Sequence, residues 1–273
     1  MKLSNTCYPA QKFGENANPL YAGNGLKGHS GFDVHCGYGS TILSPVSGKV
    51  FSTFQPERPA TDGFTMIAIL VETELEIGEF QIGHVSEIDV KIGDTVTIGQ
   101  PIGKEGNKGP VFSGNRLVTL ADQRNGNHEG SHRHYQWRPV QTKNTRMTGV
   151  PCLSQNITYP DRVTNGVYRD EQGFVYEVYD YKNGYVGCVD WTAPLFPRNL
   201  SFGSSGYDVF LLQKVLVKGG ATFTPNGWFG PQTLYWVIQF QRSNGIPATG
   251  FCGPITRAFL NKKYPCLGSS FVA

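Results

Sequence analysis

The longest strongly apolar stretch in this 273-residue chain runs only from Phe64 to Val71, with Thr65 inside it, and glycine interrupts the hydrophobic runs around it. That falls far below the roughly 18 apolar residues needed to cross a bilayer as a helix, which excludes a transmembrane helix and membrane insertion. From Thr41 to Val85 the pattern breaks into TILSPV, KVFSTF, TMIAILVE and GEFQIGHV. Short β-branched runs bounded by turn residues predict strands. KIGDTV and IGQPIGKEGNKG continue with a glycine every few residues, as tight turns between very short strands require. Gly 34 and Pro 17 agree with many turns, making up near a fifth of the chain against a usual share of about 12%. Nothing before residue 200 has helical spacing.

The texture changes after Pro194 and Pro197. Ser205-x-x-Asp208 matches a capping box, and Val209, Leu212 and Leu216, widened by Leu211 and Val215, predict a helix beginning near Gly206. GWFGPQTLYWVIQFQRSNG places Pro231 in a first turn and Gly245 just past an end, so a second helix is expected there. GFCGPITRAFL repeats that plan 23 residues on, with Gly227, Gly230, Pro231 and Thr233 answering Gly250, Gly253, Pro254 and Thr256. The expected core of this module is Val209, Leu212, Leu216, Leu234, Val237, Phe240 and Phe259.

The chain therefore reads as multidomain α and β. A β-rich antiparallel-sheet domain at 1–140 precedes an extension or linker at 141–198, a small three-helix domain at 199–263 and a tail at 264–273. Within the extension, alternating side chains flank Asn183-Gly184 and predict a type I′ hairpin. Its Tyr176, Tyr179, Tyr181 and Tyr185 suit a structural packing role, with glycan stacking as the other reading.

A net charge of +3, from 24 basic and 21 acidic residues, is too small for a dedicated nucleic-acid binder. Cys7, Cys36, Cys152, Cys188, Cys252 and Cys266 lie too far apart for a CxxC zinc ribbon or redox centre. Cys152 with Cys188 and Cys252 with Cys266 are the locally plausible disulfides, and free buried thiols are the alternative. MKLSNTCYPAQ has no apolar block after its lysine, so no secretory signal peptide is expected.

The six histidines, at 29, 35, 84, 128, 132 and 134, all fall in the β-rich half. In HRHYQW, period-two geometry puts His132 and His134 on one strand face, roughly 7 Å apart. One can bind a metal while the other faces its bound water. HSGFD adds His29 and Asp33 on a glycine-containing turn. Two histidines and one aspartate are three ligands, and three ligands leave a zinc position for water, the catalytic arrangement. His84 ends GEFQIGHV, where alternation sets it on the face of Phe80 and Ile82, either as a core histidine or as a third catalytic imidazole.

Three blocks in order over residues 28–137, GHSGFDVHCGYGSTILSPVSGKV, GHVSEIDVKIGDTVTIGQPIGKEGNKG and SHRHYQW, resemble the lysostaphin-type zinc metalloendopeptidases, which cut peptide bonds in bacterial peptidoglycan. The resemblance implies one Zn²⁺ held by His29, Asp33 and His134. It also implies His132 as general base on the zinc-bound water and His84 as a stabiliser of the oxyanion. GSSGYDVFLLQKVL and the repeated G-x-x-GPxT blocks resemble three-helix peptidoglycan-binding domains. Both resemblances imply bacterial peptidoglycan as partner, with a monomer as the expected state. The chain departs from the family at Gly83, in place of an aromatic-containing approach to the histidine. It departs again at Arg133, in place of a usual Leu, and at Gln136, in place of a usual Glu. The polar stretch from Pro110 to Ser131 is longer than the family loop and is a candidate wall of the substrate groove.

Three other readings compete with the main one. His128-Glu129-Gly130-Ser131-His132 fits HExxH, but Gly126 and Gly130 are poor interior helix residues, so that pattern lacks the helix it needs. His35 and Cys36 are rival ligands close to Asp33. Two histidines and a carboxylate also describe a non-haem iron site. The principal functional alternative is a catalytically inactive wall-binding or virion structural protein that keeps the peptidase fold. A wall hydrolase without a signal sequence suggests a phage-type lysin made in the host cytoplasm, or a virion-associated enzyme. A secreted enzyme whose signal sequence is missing is the alternative.

Overall fold

In the computed structural model, residues 7–12, 29, 31–54, 65–109, 111–140, 167–169, 175–177 and 194–266 are described. The β-rich half contains β1 (Tyr8–Gln11), β2 (Phe32–His35), β3 (Thr41–Leu43), β4 (Gly48–Phe54), β5 (Met66–Glu72), β6 (Ile77–Gly83), β7 (Val85–Ile88), β8 (Thr95–Val96), β9 (Pro101–Glu105), β10 (Val111–Ser113), β11 (Arg116–Val118) and β12 (Arg133–Val140). Seven of them form an antiparallel sheet in the order β1-β2-β12-β6-β5-β4-β8, and a smaller sheet runs β3-β9-β7.

Register explains both faces of the large sheet. One row sets Phe32, Tyr135, Ile82 and Ile67 side by side, and the next sets Trp137, Phe80 and Ile69. All of these side chains are buried and form the hydrophobic core. One residue out of phase, the opposite face carries Asp33, His134 and Gly83 in one row, Gln136 and Gln81 in the next. Strand alternation thus separates an apolar face from a buried polar one.

Arg133 points to the apolar side beside Val34 yet is buried, because Glu105 is there to receive it. Arg133 Nε lies 3.0 Å from Glu105 Oε2, and Arg133 Nη2 donates to Ser40 Oγ and the Thr41 carbonyl. The Glu105 carboxylate also accepts from the Cys36 and Gly37 backbone N–H groups.

The stretch after Pro110 is more ordered than a polar loop. Strands β10 and β11 pair as a hairpin, and a short helix α1 (Leu120–Arg124) follows with a capping box between Thr119 and Asp122. This corrects the expectation of no helix before residue 200. At five residues, α1 is too short to show an apolar period, and its cap alone holds the signal for it.

The helical half comprises α2 (Tyr207–Lys218), α3 (Pro231–Ser243) and α4 (Pro254–Lys263), with prolines opening the last two. Val209, Leu211, Leu212, Val215, Leu216 and Val237 are buried, while Leu234, Phe240 and Phe259 are half-buried, the last two rings meeting edge to face. The Ser205/Asp208 capping box does not form. Gly206 is the N-cap, at φ 141°, and the Asp208 carboxylate instead takes Arg198 at 2.8 Å and its own neighbour Val209 N–H. The repeat has a shared fastener. Gln213 donates to Thr233 Oγ1 and accepts from Gly227 N–H, and Gln241 donates to Thr256 Oγ1 and accepts from Gly250 N–H. Each buried glutamine thus ties one G-x-x-GPxT loop to the preceding helix. No described helix is long and apolar enough to cross a membrane.

A disulfide joins Cys7 to Cys36, tying β1 to the end of β2. No disulfide joins Cys252 to Cys266, contrary to the suggested pairing. The ten residues of α4 stand between them, about 15 Å of helix, whereas a disulfide needs Cα atoms within about 7 Å. Burial pushes the Cys252 thiol up to about 12, so it is an inert core group. Cys152, Cys188 and the Asn183-Gly184 hairpin lie outside the described residues. Of that extension, β13 (Val167–Arg169) and β14 (Val175–Glu177) pair antiparallel.

Candidate metal centre

Two segments more than a hundred residues apart meet because β2 pairs with β12, which places Asp33 directly across from His134. Gly31 makes the approach possible. A Cβ there would stand 2.3 Å from the Tyr135 carbonyl and 2.7 Å from His134 Cε1. His29, preceding this turn, adds a second imidazole. His29 Nε2, Asp33 Oδ1 and His134 Nδ1 form a triangle of 3.0, 3.1 and 2.8 Å sides, and all three residues are buried. Two nitrogens and an oxygen so spaced fit one cation about 2.0–2.1 Å from each.

Hydrogen bonds behind the ring nitrogens aim the lone pairs. His29 Nδ1–H donates to the Lys12 carbonyl at 3.3 Å, leaving Nε2 for the centre. On the other side, His134 Nε2–H donates to Gln136 Oε1 at 3.1 Å, leaving Nδ1. An acceptor on the far side of an imidazole fixes which nitrogen can ligate. Burial works against a charge on Asp33, but His29, His132 and His134 around it hold its carboxyl well below the usual carboxylate range. Burial likewise opposes a His134 cation, yet Asp33 and Gln136 raise its pKa above the ordinary histidine value. Such a carboxylate among imidazoles suits a divalent ion.

His132 and His84 stand beside the triangle. His132 Nδ1–H donates to the Gly130 carbonyl at 2.8 Å, and its Nε2 lies 3.5 Å from Asp33 Oδ2. His84 donates from Nδ1 to the Lys108 carbonyl at 2.6 Å, with its ring centroid 4.5 Å from that of His132. His84 does not sit on the Phe80 and Ile82 face, as alternation implied. Its φ of 60° ends the pleat and turns the ring to the polar side. Burial, with His132 and His134 nearby, lowers its pKa well below the ordinary value.

The rival residues go elsewhere. His35 Nδ1 faces the Ser131 carbonyl and Glu105, and Cys36 is consumed in the disulfide. His128 stacks on Tyr38 with ring centroids 3.6 Å apart, and Glu129 is exposed and paired with Arg116. Residues 125–130 are turn and coil, so the HExxH pattern has no helix. What sequence reasoning missed is the polar row under His134: Gln136 stood out only as a departure from the family, and no motif singles out its buried neighbours Gln81 and Glu79.

Comparison with known proteins gives two family matches: residues 27–144 match Peptidase family M23, and residues 205–260 match the family described as "Putative peptidoglycan binding domain". Among solved structures, the chain is similar to the catalytic domain of the antimicrobial peptidase lysostaphin from Staphylococcus simulans. That match has 21% identity, 50% of this chain and 81% of that one covered, and a TM-score of 0.32. The catalytic domain of the prophage-encoded M23 protein EnpA from Enterococcus faecalis matches at 21% identity, 51% and 85% coverage, and 0.36. A Burkholderia AP3 phage endolysin matches at 33% identity over 24% of this chain and 26% of that one, at 0.23. No curated protein sequence matches the chain. With the His29, Asp33 and His134 triangle in place, residues 27–144 belong to peptidase family M23, the zinc metallopeptidases, and residues 205–260 form a C-terminal domain of the peptidoglycan-binding family.

Proposed function

We propose that this chain is a zinc-dependent endopeptidase that hydrolyses peptide bonds in the stem peptides or cross-bridges of bacterial peptidoglycan. The observation that carries this is the convergence of His29 Nε2, Asp33 Oδ1 and His134 Nδ1 beside two further imidazoles. Zinc bound there would supply a Lewis acid for the scissile carbonyl and bring the pKa of bound water from about 15.7 to about 7. The remaining work falls to the chain. With Nδ1–H held by the Gly130 carbonyl, His132 presents Nε2 to take the proton of the attacking water and pass it to the leaving amine. The Nδ1–H of His84 is committed to the Lys108 carbonyl, so a hydrogen bond it lends the oxyanion must come from Nε2. Nε2 must take up a second ring proton to do so, which burial and the neighbouring His132 and His134 oppose in the free site and which negative charge developing on the substrate oxygen favours.

The family match of residues 205–260 supports wall binding by the helical domain. We propose a phage-type lysin or virion-associated setting for the chain. Expression in a bacterial cytoplasm tests that setting: lysis only when a membrane pore is co-expressed supports it, and lysis without the pore counts against it.

Purified walls test the activity. His29→Ala and Asp33→Ala should each lose both zinc and turbidity clearance, and Glu129→Ala should keep both. His132→Ala should keep zinc and lose roughly 10²- to 10⁴-fold in rate. Full clearance after the loss of Asp33 would reject the ligand set, and zinc uptake without cleavage of any wall would favour the non-catalytic reading. Mass spectrometry of released fragments identifies the bond cut.

A further inference from the structure

The nitrogen of His134 that faces the triangle is chosen at a distance. His134 Nε2 and Gln136 Oε1 are 3.1 Å apart, Gln136 Nε2 donates to Gln81 Oε1, and Gln81 Nε2 donates to Glu79 Oε1. All four residues are buried, on one face of two paired strands, with Gln136 directly opposite Gln81. An amide can point either way along such a row, since it has a donor and an acceptor end, but Glu79, which closes the row, only accepts as a carboxylate. That acceptor decides everything upstream. Gln81 must turn its NH₂ to Glu79 and its oxygen to Gln136. Gln136 must then turn its NH₂ to Gln81 and its oxygen to His134. His134 must meet that oxygen with Nε2–H, which leaves the Nδ1 lone pair toward Asp33 and His29.

We infer that Glu79 is a positioning residue of the metal centre: through Gln81 and Gln136 it fixes the tautomer in which His134 ligates through Nδ1. The assignment rests on the proposed role of His134 as a zinc ligand. It also accounts for the Gln136 departure from the family pattern. With an amide rather than a carboxylate next to the histidine, orientation has to be imposed from farther along the row, and Glu79 imposes it.

Direction, rather than the mere presence of a polar row, should then set metal affinity. Glu79→Gln keeps shape and hydrogen bonding but places a reversible amide at the end, so the row can run either way. Zinc affinity, measured by competition with a chromophoric chelator, should fall by roughly tenfold to a hundredfold. Imidazole ¹⁵N and ¹³C shifts of zinc-loaded protein should change from Nδ1-ligated His134 to a mixture. The double variant E79Q/Q136E moves the terminal carboxylate next to His134. The new amide at position 79 can then donate to Gln81, and Gln81 can donate to the new carboxylate at position 136. That carboxylate accepts from His134 Nε2–H. Zinc affinity should return to within about threefold of wild type, and the Nδ1 signature should return with it.

Unchanged affinity in E79Q, or a folded double variant as weak as E79Q, overturns the inference while leaving the ligand set intact. Should E79Q not fold, Gln81→Met decides, because it cuts the row between Glu79 and Gln136: zinc affinity lower by roughly tenfold or more upholds the inference, and unchanged affinity rejects it. A wild-type chain that takes up no zinc rejects the metal centre and this inference together.

Discussion

His84 is the single non-glycine residue at positive φ among the described residues, at 60°. Holding such a conformation costs of order 1–3 kcal/mol and persists where surrounding structure over-determines it. Here it carries the ring from the core face to the metal face. Its lowered pKa gives a signed prediction for metal-free protein. An unfolded His84 takes up a proton near pH 6.5, while the folded one, buried beside His132 and His134, resists protonation until the pH is well below that. The unfolded state therefore binds more protons in that window, and stability falls as pH falls below about 6.5. His134 has the opposite sign, its raised pKa giving stability at low pH that is lost as pH rises through the folded value. Comparison of wild type with His84→Gln isolates the first effect. Urea unfolding between pH 7.5 and 5.5 should show wild type losing stability relative to the variant, by up to about 1.4 kcal/mol per pH unit. Parallel curves would mean that His84 titrates normally. The grouping of His29, Asp33 and His134 was partly legible in the sequence, because strand period and a short turn bring candidate side chains to one face, whereas the choice of His134 over His132 came with the family resemblance. The tautomers and the His84 twist were not legible, since both depend on carbonyls at Lys12, Gly130 and Lys108 that no local pattern places.

At the scale of elements, the close approach of β2 to β12 is the constraint that builds the site. Gly31→Ala would press a methyl group against the Tyr135 carbonyl, which is backbone and cannot swing aside, and against the His134 ring. Overpacking of this kind costs about 1–3 kcal/mol. Both the melting temperature and zinc affinity should fall, and a variant with unaltered zinc affinity would show that the ring tolerates displacement. On the other face of β12, the Arg133–Glu105 pair is fully buried. Removing one partner strands the other, so Arg133→Leu should cost about 3–5 kcal/mol despite restoring the usual family residue. R133L/E105Q should cost less than the sum of the two single variants in denaturant unfolding, by about 0.5–3 kcal/mol. Strand existence was readable from alternation and glycine spacing. Neither Arg133–Glu105 nor the row from His134 to Glu79 could be read, because each needs a cross-strand register between positions 28 and 55 apart. The Cys7–Cys36 disulfide was hidden for the same reason: 29 residues of separation carry no pairing signal until β1 is known to lie beside β2.

For the whole molecule, the repeated fastening of Gln213 and Gln241 makes the helical half one unit, and the segment leading into it belongs to that unit. Phe196 N–H donates to Asn261 Oδ1 at 2.9 Å, Asn261 Nδ2 donates back to the Phe196 carbonyl, and Arg257 Nη1 donates to the Pro197 carbonyl at 2.8 Å. A truncation that tests its role should therefore end before Pro194 rather than at the first helix, because a cut at Tyr207 would leave Phe196 with its partners gone. None of the groups in the metal triangle comes from this half. If its role is to hold the enzyme on the wall, its contribution is an effective concentration, which multiplies apparent wall affinity by as much as 10²- to 10⁴-fold without touching the chemistry. Chain lacking residues 194–273 should thus cleave a soluble peptide substrate at close to the wild-type kcat/KM. Its clearance of intact walls should fall by at least about tenfold at limiting enzyme, the deficit narrowing as enzyme concentration is raised past saturation. A parallel loss on both substrates would place the helical half in support of the peptidase fold, and equal wall clearance would remove it from substrate capture.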